Sequence, residues 1–214
     1  MPLLRDASRW VPFRPFIDAA SYAGQGCASA GPTRLITVAM MRYGDKLASY
    51  RILGDALSHL LDLPWSLEVV GDGPARRDVE DALHRIKERV TWAGEIASME
   101  IARRLASADL CVWPALNEAF GMALLEAQAS GVPVVAGGGG GVSEIVVPGI
   151  TGLLVAPGDA PAFAEAVRSL IVDRPRRAAF AEAARQRVGA EHDLFSAARR
   201  LNAVIDKVSP GSRA

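Results

Sequence analysis

Two glutamates, Glu118 and Glu126, are the first candidates for chemistry in this sequence, because they stand eight positions apart on either side of a Phe-Gly pair. Glu126 follows Met122 by four residues, so in a helix it would lie on the same face, one turn further along. Carboxylates accept hydrogen bonds from neighbouring hydroxyl groups, such as those of a ribose or a hexose. The spacing therefore indicates a sugar site, although acidic residues are also favoured in the first turn of an ordinary amphipathic helix.

The segment between the two glutamates predicts an anion site as well. An apolar strand is predicted at 108–114, and a run of good helix formers ends at Gly131. The backbone N–H groups of Phe120, Gly121 and Met122 would then be unpaired donors at the positive end of the helix dipole, which favours phosphate. Gly121 would let such a ligand approach the backbone closely.

These residues need a scaffold, and apolar strands that alternate with amphipathic helices predict one. Such alternation favours an α/β fold, a Rossmann-like parallel sheet with helices on both faces. The predicted strands are 35–40, 66–70, 90–92, 110–113, 134–135 and 153–155. The predicted helices are 48–61, 75–89, 98–107, the segment that carries Glu126, 143–147, 162–173, 175–190 and 194–208. Most candidate motifs follow a strand, at the edge where ligands of such sheets bind.

Several short motifs, most of them rich in glycine, follow one another along the chain. They are Val69 to Pro74 (VVGDGP), Glu118 to Glu126 (E-x7-E), Gly131 to Ala136, Gly140 to Val146 and Gly149 to Asp159. In this order and at this spacing they resemble the C-terminal, donor-binding half of the family-4 retaining glycosyltransferases of GT-B fold. The resemblance implies a single GT-B half-domain that binds a nucleoside-diphosphate sugar and transfers the sugar to an acceptor with retention of configuration. It implies no cofactor and no metal.

The resemblance also implies roles for particular residues of this chain. Lys46 and Arg42, after the first strand, would hold the diphosphate, although the family's arginine position falls nearer Met40. Glu118 would contact the transferred hexose and orient it. Glu126 would hold the ribose hydroxyls.

The nucleoside would lie against the ends of the next two strands. Gly71 would border the nucleotide, backbone groups around Gly94 would meet the edge of the base, and Ile96 would pack on its face. A plain turn at Gly71 is nearly as compatible with the sequence, and Trp113 is expected in the core. The glycine run 137–141 favours a flexible loop over the ligand site, or a simple flexible connection.

Three segments are predicted along the chain. They are an interdomain segment and linker at 1–30, the Rossmann-like nucleotide-sugar-binding domain at 31–190, and a C-terminal helix and tail at 191–214. Trp10 to Asp18 resembles the segment just before the donor domain in the family, and its prolines and aromatics could equally pack on the core as a strap. The acceptor-binding half is expected to be missing, and a second chain could supply it.

Composition argues against several other functions. The 24 basic and 24 acidic side chains balance to a formal net charge of zero, so nucleic acid is not an expected partner. Cys27 and Cys111 are far apart and predict neither a disulfide framework nor a metal site. No signal peptide or long apolar span is evident, so a cytoplasmic location is expected. The first strand is not followed by a G-x-G-x-x-G turn, which argues against a nicotinamide cofactor.

Three functions remain open at this point. The chain could be a glycosyltransferase or its donor half, a non-catalytic nucleotide-sugar-binding module, or a truncated remnant that binds nothing well. Donor binding separates the first two from the third, and transfer activity with a supplied acceptor half separates the first from the second. The sugar, the base (UDP or GDP), the acceptor and the oligomeric state are not specified by the sequence.

Overall fold

The computed structural model describes residues 11–22 and 31–208, and at its centre lies a six-stranded sheet in the order β3-β2-β1-β4-β5-β6. The strands are β1 Thr33–Val38, β2 Trp65–Val70, β3 Val90–Gly94, β4 Leu110–Trp113, β5 Val134–Gly137 and β6 Gly152–Val155. All neighbouring strands are parallel. The predicted α/β class and parallel sheet are therefore confirmed.

The central strands are apolar because both of their faces are covered. Every residue of β4 and β5 is buried, and in β1 the side chains of Leu35 and Ile36 are almost fully buried. Strands in a parallel sheet that is covered on both sides are expected to be near-continuous hydrophobic runs. Leu35 pairs with Leu110, which joins β1 to β4 and places the two halves of the sheet side by side.

Helices cover both faces because the chain adds strands to the sheet in two directions. It adds β2 and β3 on one side of β1, and then reverses and adds β4, β5 and β6 on the other side. The helices are α1 Asp45–Ser58, α2 Arg76–Ala82, α3 Ser98–Ser107, α4 Met122–Ala129, α5 Val142–Ile145, α6 Ala160–Val172, α7 Arg174–Arg187 and α8 Leu194–Val208. Right-handed crossovers on either side of the reversal place their helices on opposite faces. Accordingly α1 packs with α2 and α6, whereas α4 packs with α3 and α7. None of the helices in the described part of the chain has the length and apolar character needed to cross a membrane.

Two predicted helices are broken in the structure, whereas others are shifted only at their ends. The predicted helix 75–89 is divided into α2 and a 3-10 turn at His84–Arg89, and nothing in the local sequence explains the break. The predicted helix 175–190 ends with α7 and continues as a π-helical turn at Val188–His192. Gly189 lies in this turn, and glycine lowers the preference for a regular α-helix. The predicted domain boundary after residue 190 therefore falls inside a structured turn.

Residues 11–22 form a strap that packs across the π-helical turn. The Ile17 N–H donates to the His192 carbonyl at 2.9 Å, and the Leu194 N–H donates to the Ile17 carbonyl at 3.0 Å. Nδ1 of the buried His192 side chain lies 2.8 Å from the Pro15 carbonyl oxygen. Burial lowers the pKa of this imidazole. The described part of the N-terminal segment is thus a strap held by backbone contacts, whereas the expected packing of its aromatics on the core is wrong for Phe13 and Phe16, which are exposed.

Two smaller expectations concern the linker at the end of the strap and the cysteines. Ala19–Tyr22 form a 3-10 turn, so this part of the predicted linker has a regular structure. Trp10 and Cys27 lie outside the described residues. Cys111 is buried in β4, and burial raises the pKa of its thiol to about 12.

Gly54 of α1 permits a close contact between two helices on one face of the sheet. A methyl group at this position would lie 2.2 Å from the carbonyl oxygen of Ala82, at the end of α2. Because that backbone oxygen cannot swing aside, we expect Gly54→Ala to lower the free energy of unfolding by about 1–3 kcal/mol in urea denaturation, although alanine is the better helix former.

Gly189→Ala is the matched control for Gly54→Ala. No atom lies within 4 Å of a methyl group built on Gly189. This variant should keep the wild-type free energy of unfolding or raise it slightly, because alanine restricts the unfolded chain. Equal losses in the two variants would contradict the close-contact explanation.

Candidate functional site

A cavity of about 660 Å³ lies at the carboxyl ends of β1, β2 and β4. At this position the direction of sheet building reverses, and open α/β sheets bind their ligands at such reversals. The predicted site residues that line the cavity are Arg42, Lys46, Gly71, Ile96, Glu118, Phe120, Gly121 and Met122. The fold therefore brings together residues from four separate loops.

A charged cluster of Lys46, Glu118 and Trp113 lies at the β4 end of the cavity. Lys46 Nζ is 2.5 Å from Glu118 Oε2, and the indole N–H of Trp113 donates to the same oxygen at 3.3 Å. The ammonium group also lies 5.4 Å from the centre of the Trp113 ring. That ring in turn packs edge-on against the buried Tyr50 at 4.9 Å between centroids. Packing and hydrogen bonds together set the positions of both charged groups.

Trp113 has a second role that sequence reasoning did not give it. Its side chain is buried, as expected for a core residue, yet it also lines the cavity. Its position as the last residue of β4 was the available signal, because ligands of parallel sheets bind where strands end.

The loop between β4 and α4 has an unusual backbone conformation. Ala115 and Asn117 have φ angles of 54° and 48°, in the left-handed region that costs residues with a side chain about 1–2 kcal/mol. Such strain persists only where neighbouring structure enforces it. Here the Ser49 hydroxyl on α1 accepts a hydrogen bond from the Leu116 N–H at 3.1 Å, so α1 holds the loop in place.

The first turn of α4 provides hydrogen-bond donors at the cavity. No described residue accepts a hydrogen bond from the N–H groups of Phe120, Gly121, Met122 or Ala123, and these groups carry the positive end of the helix dipole. Arg42 also lines the cavity and pairs with no described carboxylate. This is the arrangement that the anion-site hypothesis requires, and anion binding itself stays a prediction.

The glycine run 137–141 lies behind the loop that carries Glu118. A Cβ atom on Gly140 would be 2.1 Å from the Glu118 carbonyl oxygen, and one on Gly141 would be 2.2 Å from the Ala119 carbonyl oxygen. The Gly141 N–H donates to the Glu118 carbonyl at 3.2 Å. None of these five glycines lines the cavity. Glycine is needed at Gly140 and Gly141 because two backbones touch there, and a role of the run as a loop over the ligand stays a prediction.

The turn after β2 is in close contact with the loop after β1. Gly71 has a φ of +132°, and a Cβ atom there would lie 2.1 Å from the Ala39 carbonyl oxygen. The Met41 N–H donates to the Asp72 carbonyl at 2.9 Å. Gly71 therefore serves the contact between two loops as well as bordering the cavity.

Glu126 and Gly94 are the predicted site residues that do not line the cavity. The Glu126 carboxylate faces the strap, where the Tyr22 hydroxyl is its polar neighbour. Burial raises the pKa of Glu126, and burial together with the nearby carboxylate raises the pKa of Tyr22 to about 12. Gly94 ends β3, and its carbonyl accepts a hydrogen bond from the Gly71 N–H at 2.8 Å. Helical spacing placed Glu126 near the ligand but could not show the strap beside it.

The β3 end of the cavity contains residues whose side chains were not assigned to the ligand from the sequence. Pro74 and Ile101 provide apolar surface beside Ile96, and Asp72 and Glu95 add two carboxylates. Asp72, Pro74 and Glu95 come shortly after β2 or β3 in the chain. The rule that ligands bind after strands would have found them, whereas Ile101 comes from α3 and has no local mark.

A family model described as Glycosyl transferases group 1 matches residues 32–173, which is more than half of the chain. The matched range includes every residue that lines the cavity. This chain belongs to the group 1 glycosyltransferases. Membership explains why the strand-end motifs, the cavity and the first turn of α4 occur together.

Curated relatives of this glycosyltransferase chain are longer proteins. It is 31% identical to the glycogen synthase of Mycobacterium tuberculosis over 215 residues, which covers 97% of this chain and 48% of the relative. It is 35% identical over 145 residues to a GDP-mannose-dependent alpha-(1-6)-phosphatidylinositol monomannoside mannosyltransferase of the same organism, which covers 64% of this chain and 38% of the relative. The chain spans about half the length of these relatives, or less.

Solved glycosyltransferases share the fold. A Rickettsia africae glycosyltransferase superposes with a TM-score of 0.84 at 20% identity, over 97% of this chain and 59% of that one. Anabaena HepE, solved with UDP and glucose, superposes with a TM-score of 0.74 at 24% identity, over 89% of this chain and 55% of that one. The C-terminal domain of a Francisella tularensis group 1 glycosyltransferase superposes with a TM-score of 0.73 at 23% identity, over 83% of this chain and 99% of that one. The expected GT-B half-domain fold is confirmed.

The raised pKa of Glu126 leads to a prediction about stability and pH. When the pKa of a carboxyl group is higher in the folded chain than in the unfolded chain, its contribution to the free energy of unfolding depends on pH. The contribution is fully present below the pKa of the unfolded chain, here 4.5, and is lost as the pH rises toward the pKa of the folded chain. The loss arises because the unfolded chain releases its proton first. We expect the stability of Glu126→Gln relative to wild type to be greater at pH 7 than at pH 4, measured by urea unfolding.

Glu88→Gln is the control for the pH dependence. The Glu88 side chain is 88% exposed, and its substitution replaces a carboxylate by an amide, as the substitution of Glu126 does. Its stability relative to wild type should not increase between pH 4 and pH 7. A pH-independent difference for Glu126→Gln would show that its carboxyl group does not titrate as described.

Proposed function

We propose that this chain is the donor-binding half of a retaining glycosyltransferase that transfers a hexose from a nucleoside-diphosphate sugar. The main support is the arrangement around the cavity, where Lys46, Arg42 and the open first turn of α4 all supply positive charge. A diphosphate requires this combination of cations and N–H donors. One similar structure contains UDP and glucose, and one relative is GDP-mannose-dependent.

The order of the strands suggests how the donor would lie. Residues after β3 and residues after β4 are at opposite ends of the cavity, with β2 and β1 between them. The polar end at Glu118 suits the hexose, the first turn of α1 with Lys46 suits the diphosphate, and the apolar end at Ile96 suits the base. In this pose Glu126 would hold the ribose hydroxyls after the Tyr22 hydroxyl has released it.

The proposed chemistry depends on stabilising the leaving group. When the bond between hexose and diphosphate breaks, negative charge develops on the phosphate oxygens, and Lys46, Arg42 and the α4 N–H groups would offset it. Lys46 is already positioned by Trp113 and Glu118, so little reorganisation is needed. Within residues 11–22 and 31–208 no three His, Cys, Asp or Glu side chains are grouped as a metal site requires. We propose that the cations of the chain act without a metal.

The acceptor would bind between this domain and a second half, on this chain or on a partner. Along α8 the side chains of Leu194, Phe195, Leu201 and Ile205 are exposed at helical spacing, and this apolar stripe suits contact with another domain. A non-catalytic nucleotide-sugar-binding module is the alternative. Hexose transfer from UDP or GDP sugars in the presence of a second half would distinguish the two functions.

Calorimetric titration with UDP and GDP tests the diphosphate site. We expect Lys46→Met to weaken nucleotide binding about 10- to 100-fold, because a hydrogen bond to a charged group contributes about 1.5–3 kcal/mol. Lys87→Met is the control, since the Lys87 side chain is 73% exposed and lies outside the cavity. Unchanged binding by Lys46→Met, or no binding by folded wild-type chain, would exclude the proposed site.

The same titration separates a ligand role of Glu126 from a structural role. If Glu126 holds the ribose, Glu126→Ala should weaken nucleotide binding about 10-fold, whereas Tyr22→Phe should strengthen it or leave it unchanged, because the competing hydroxyl is removed. If Glu126 only anchors the strap, both variants should have the same small effect on affinity. Thermal unfolding of each variant checks that the fold is retained.

A further inference from the structure

We propose that Glu95 selects the base of the donor and that the base is guanine. The proposal rests on the proposed function, because it assumes that the cavity binds a nucleoside diphosphate. Glu95 directly follows β3 and lines the cavity. The neighbouring strands of a sheet are about 4.8 Å apart, so the ends of β3 and β4 are separated by roughly 14 Å across the cavity.

The base belongs at the β3 end because of what lines each end. The diphosphate lies between the base and the hexose, and its cation Lys46 comes from α1, which follows the central strand β1. At the β4 end the Glu118 carboxylate, which accepts a hydrogen bond from the Trp113 indole, suits hydroxyl groups. At the β3 end Pro74, Ile96 and Ile101 offer apolar surface, which suits the faces of a planar ring.

Glu95 has acceptors available for a ligand at this end. Its side chain is exposed, and no described residue forms a hydrogen bond or an ion pair with it. Asp72, the other carboxylate at this end, is already engaged. It accepts a hydrogen bond from the Gly73 N–H at 2.7 Å and lies 3.9 Å from the Arg76 guanidinium. Of the two, Glu95 is therefore the carboxylate that is free to bind the edge of a base.

A carboxylate distinguishes the bases by their donors. Guanine presents two adjacent donors, the ring N1–H and the exocyclic N2 amino group, and both can bond to the two oxygens of one carboxylate. Uracil presents a single N–H between two carbonyl oxygens, so a carboxylate would gain one hydrogen bond and face two lone-pair repulsions. Adenine presents one amino group beside an unprotonated ring nitrogen. Charge-assisted hydrogen bonds are among the stronger ones, and an unmatched acceptor disfavours the wrong base.

Calorimetric titration of the wild-type chain with GDP, UDP and ADP tests the proposal. We expect GDP to bind about 10- to 100-fold more tightly than UDP, as two hydrogen bonds to a charged group predict. Glu95→Gln should lower the affinity for GDP by about 10-fold and leave the affinity for UDP unchanged or higher, because an amide can both donate to and accept from uracil. Glu88→Gln, which removes the same charge outside the cavity, should not alter the ratio of the two affinities.

The outcomes separate this proposal from the proposed function. Tight GDP binding that Glu95→Gln loses selectively, in a variant with an unchanged thermal unfolding curve, supports the proposal. Equal binding of GDP and UDP, tighter binding of UDP, or a ratio that Glu95→Gln leaves unchanged overturns the role of Glu95 while the nucleotide site stands. Absence of binding by all three nucleotides to folded chain overturns both.

Discussion

The candidate site depends on the pairing of β1 with β4. This pairing makes the chain reverse the direction in which it builds the sheet, and right-handed crossovers then place the following helices on opposite faces. The loops after the two strands diverge as a result, and the cavity lies between them. Lys46 lies in α1, which follows β1, and Glu118 lies in the loop that follows β4. The contact between Lys46 Nζ and Glu118 Oε2 at 2.5 Å joins the two sides of the cavity.

Contacts between backbones keep the loops around the cavity in place. Gly71 lies against the loop after β1, and Gly140 lies against the loop that carries Glu118, each at a distance that leaves no room for a side chain. Loops that touch through their backbones have few rotatable groups between them. A site that is built this way keeps its geometry before a ligand arrives, which reduces the free-energy cost of binding.

Local patterns in the sequence predicted the fold and most of the cavity. The start of α4 was predictable because an apolar strand, Gly121 and a run of helix formers follow each other directly. The role of Trp113 was missed because its apolar type favours the core, although its position at the end of β4 pointed to the cavity. The close backbone contacts of Gly140 and Gly141 were not predictable, because a flexible loop and a close backbone contact both favour glycine.

Contacts between distant segments were beyond the reach of sequence patterns. The proximity of Tyr22 to Glu126 depends on the course of the strap across the domain, and no periodicity encodes that course. The same reason applies to Ile101, whose helix gives it a core-like spacing although it lines the cavity. Such contacts depend on how complete elements pack together, and their residue types alone do not distinguish them.

The strap ties the two ends of the domain together. Pro15 and His192 are 177 positions apart, yet they meet through a hydrogen bond, and Ile17 pairs with the residues beside His192. The strap and the π-helical turn therefore meet at a paired crossing. Lifting the strap from this crossing would also take Tyr22 away from Glu126. A mechanical displacement of the domain and the release of a carboxylate would then be the same event.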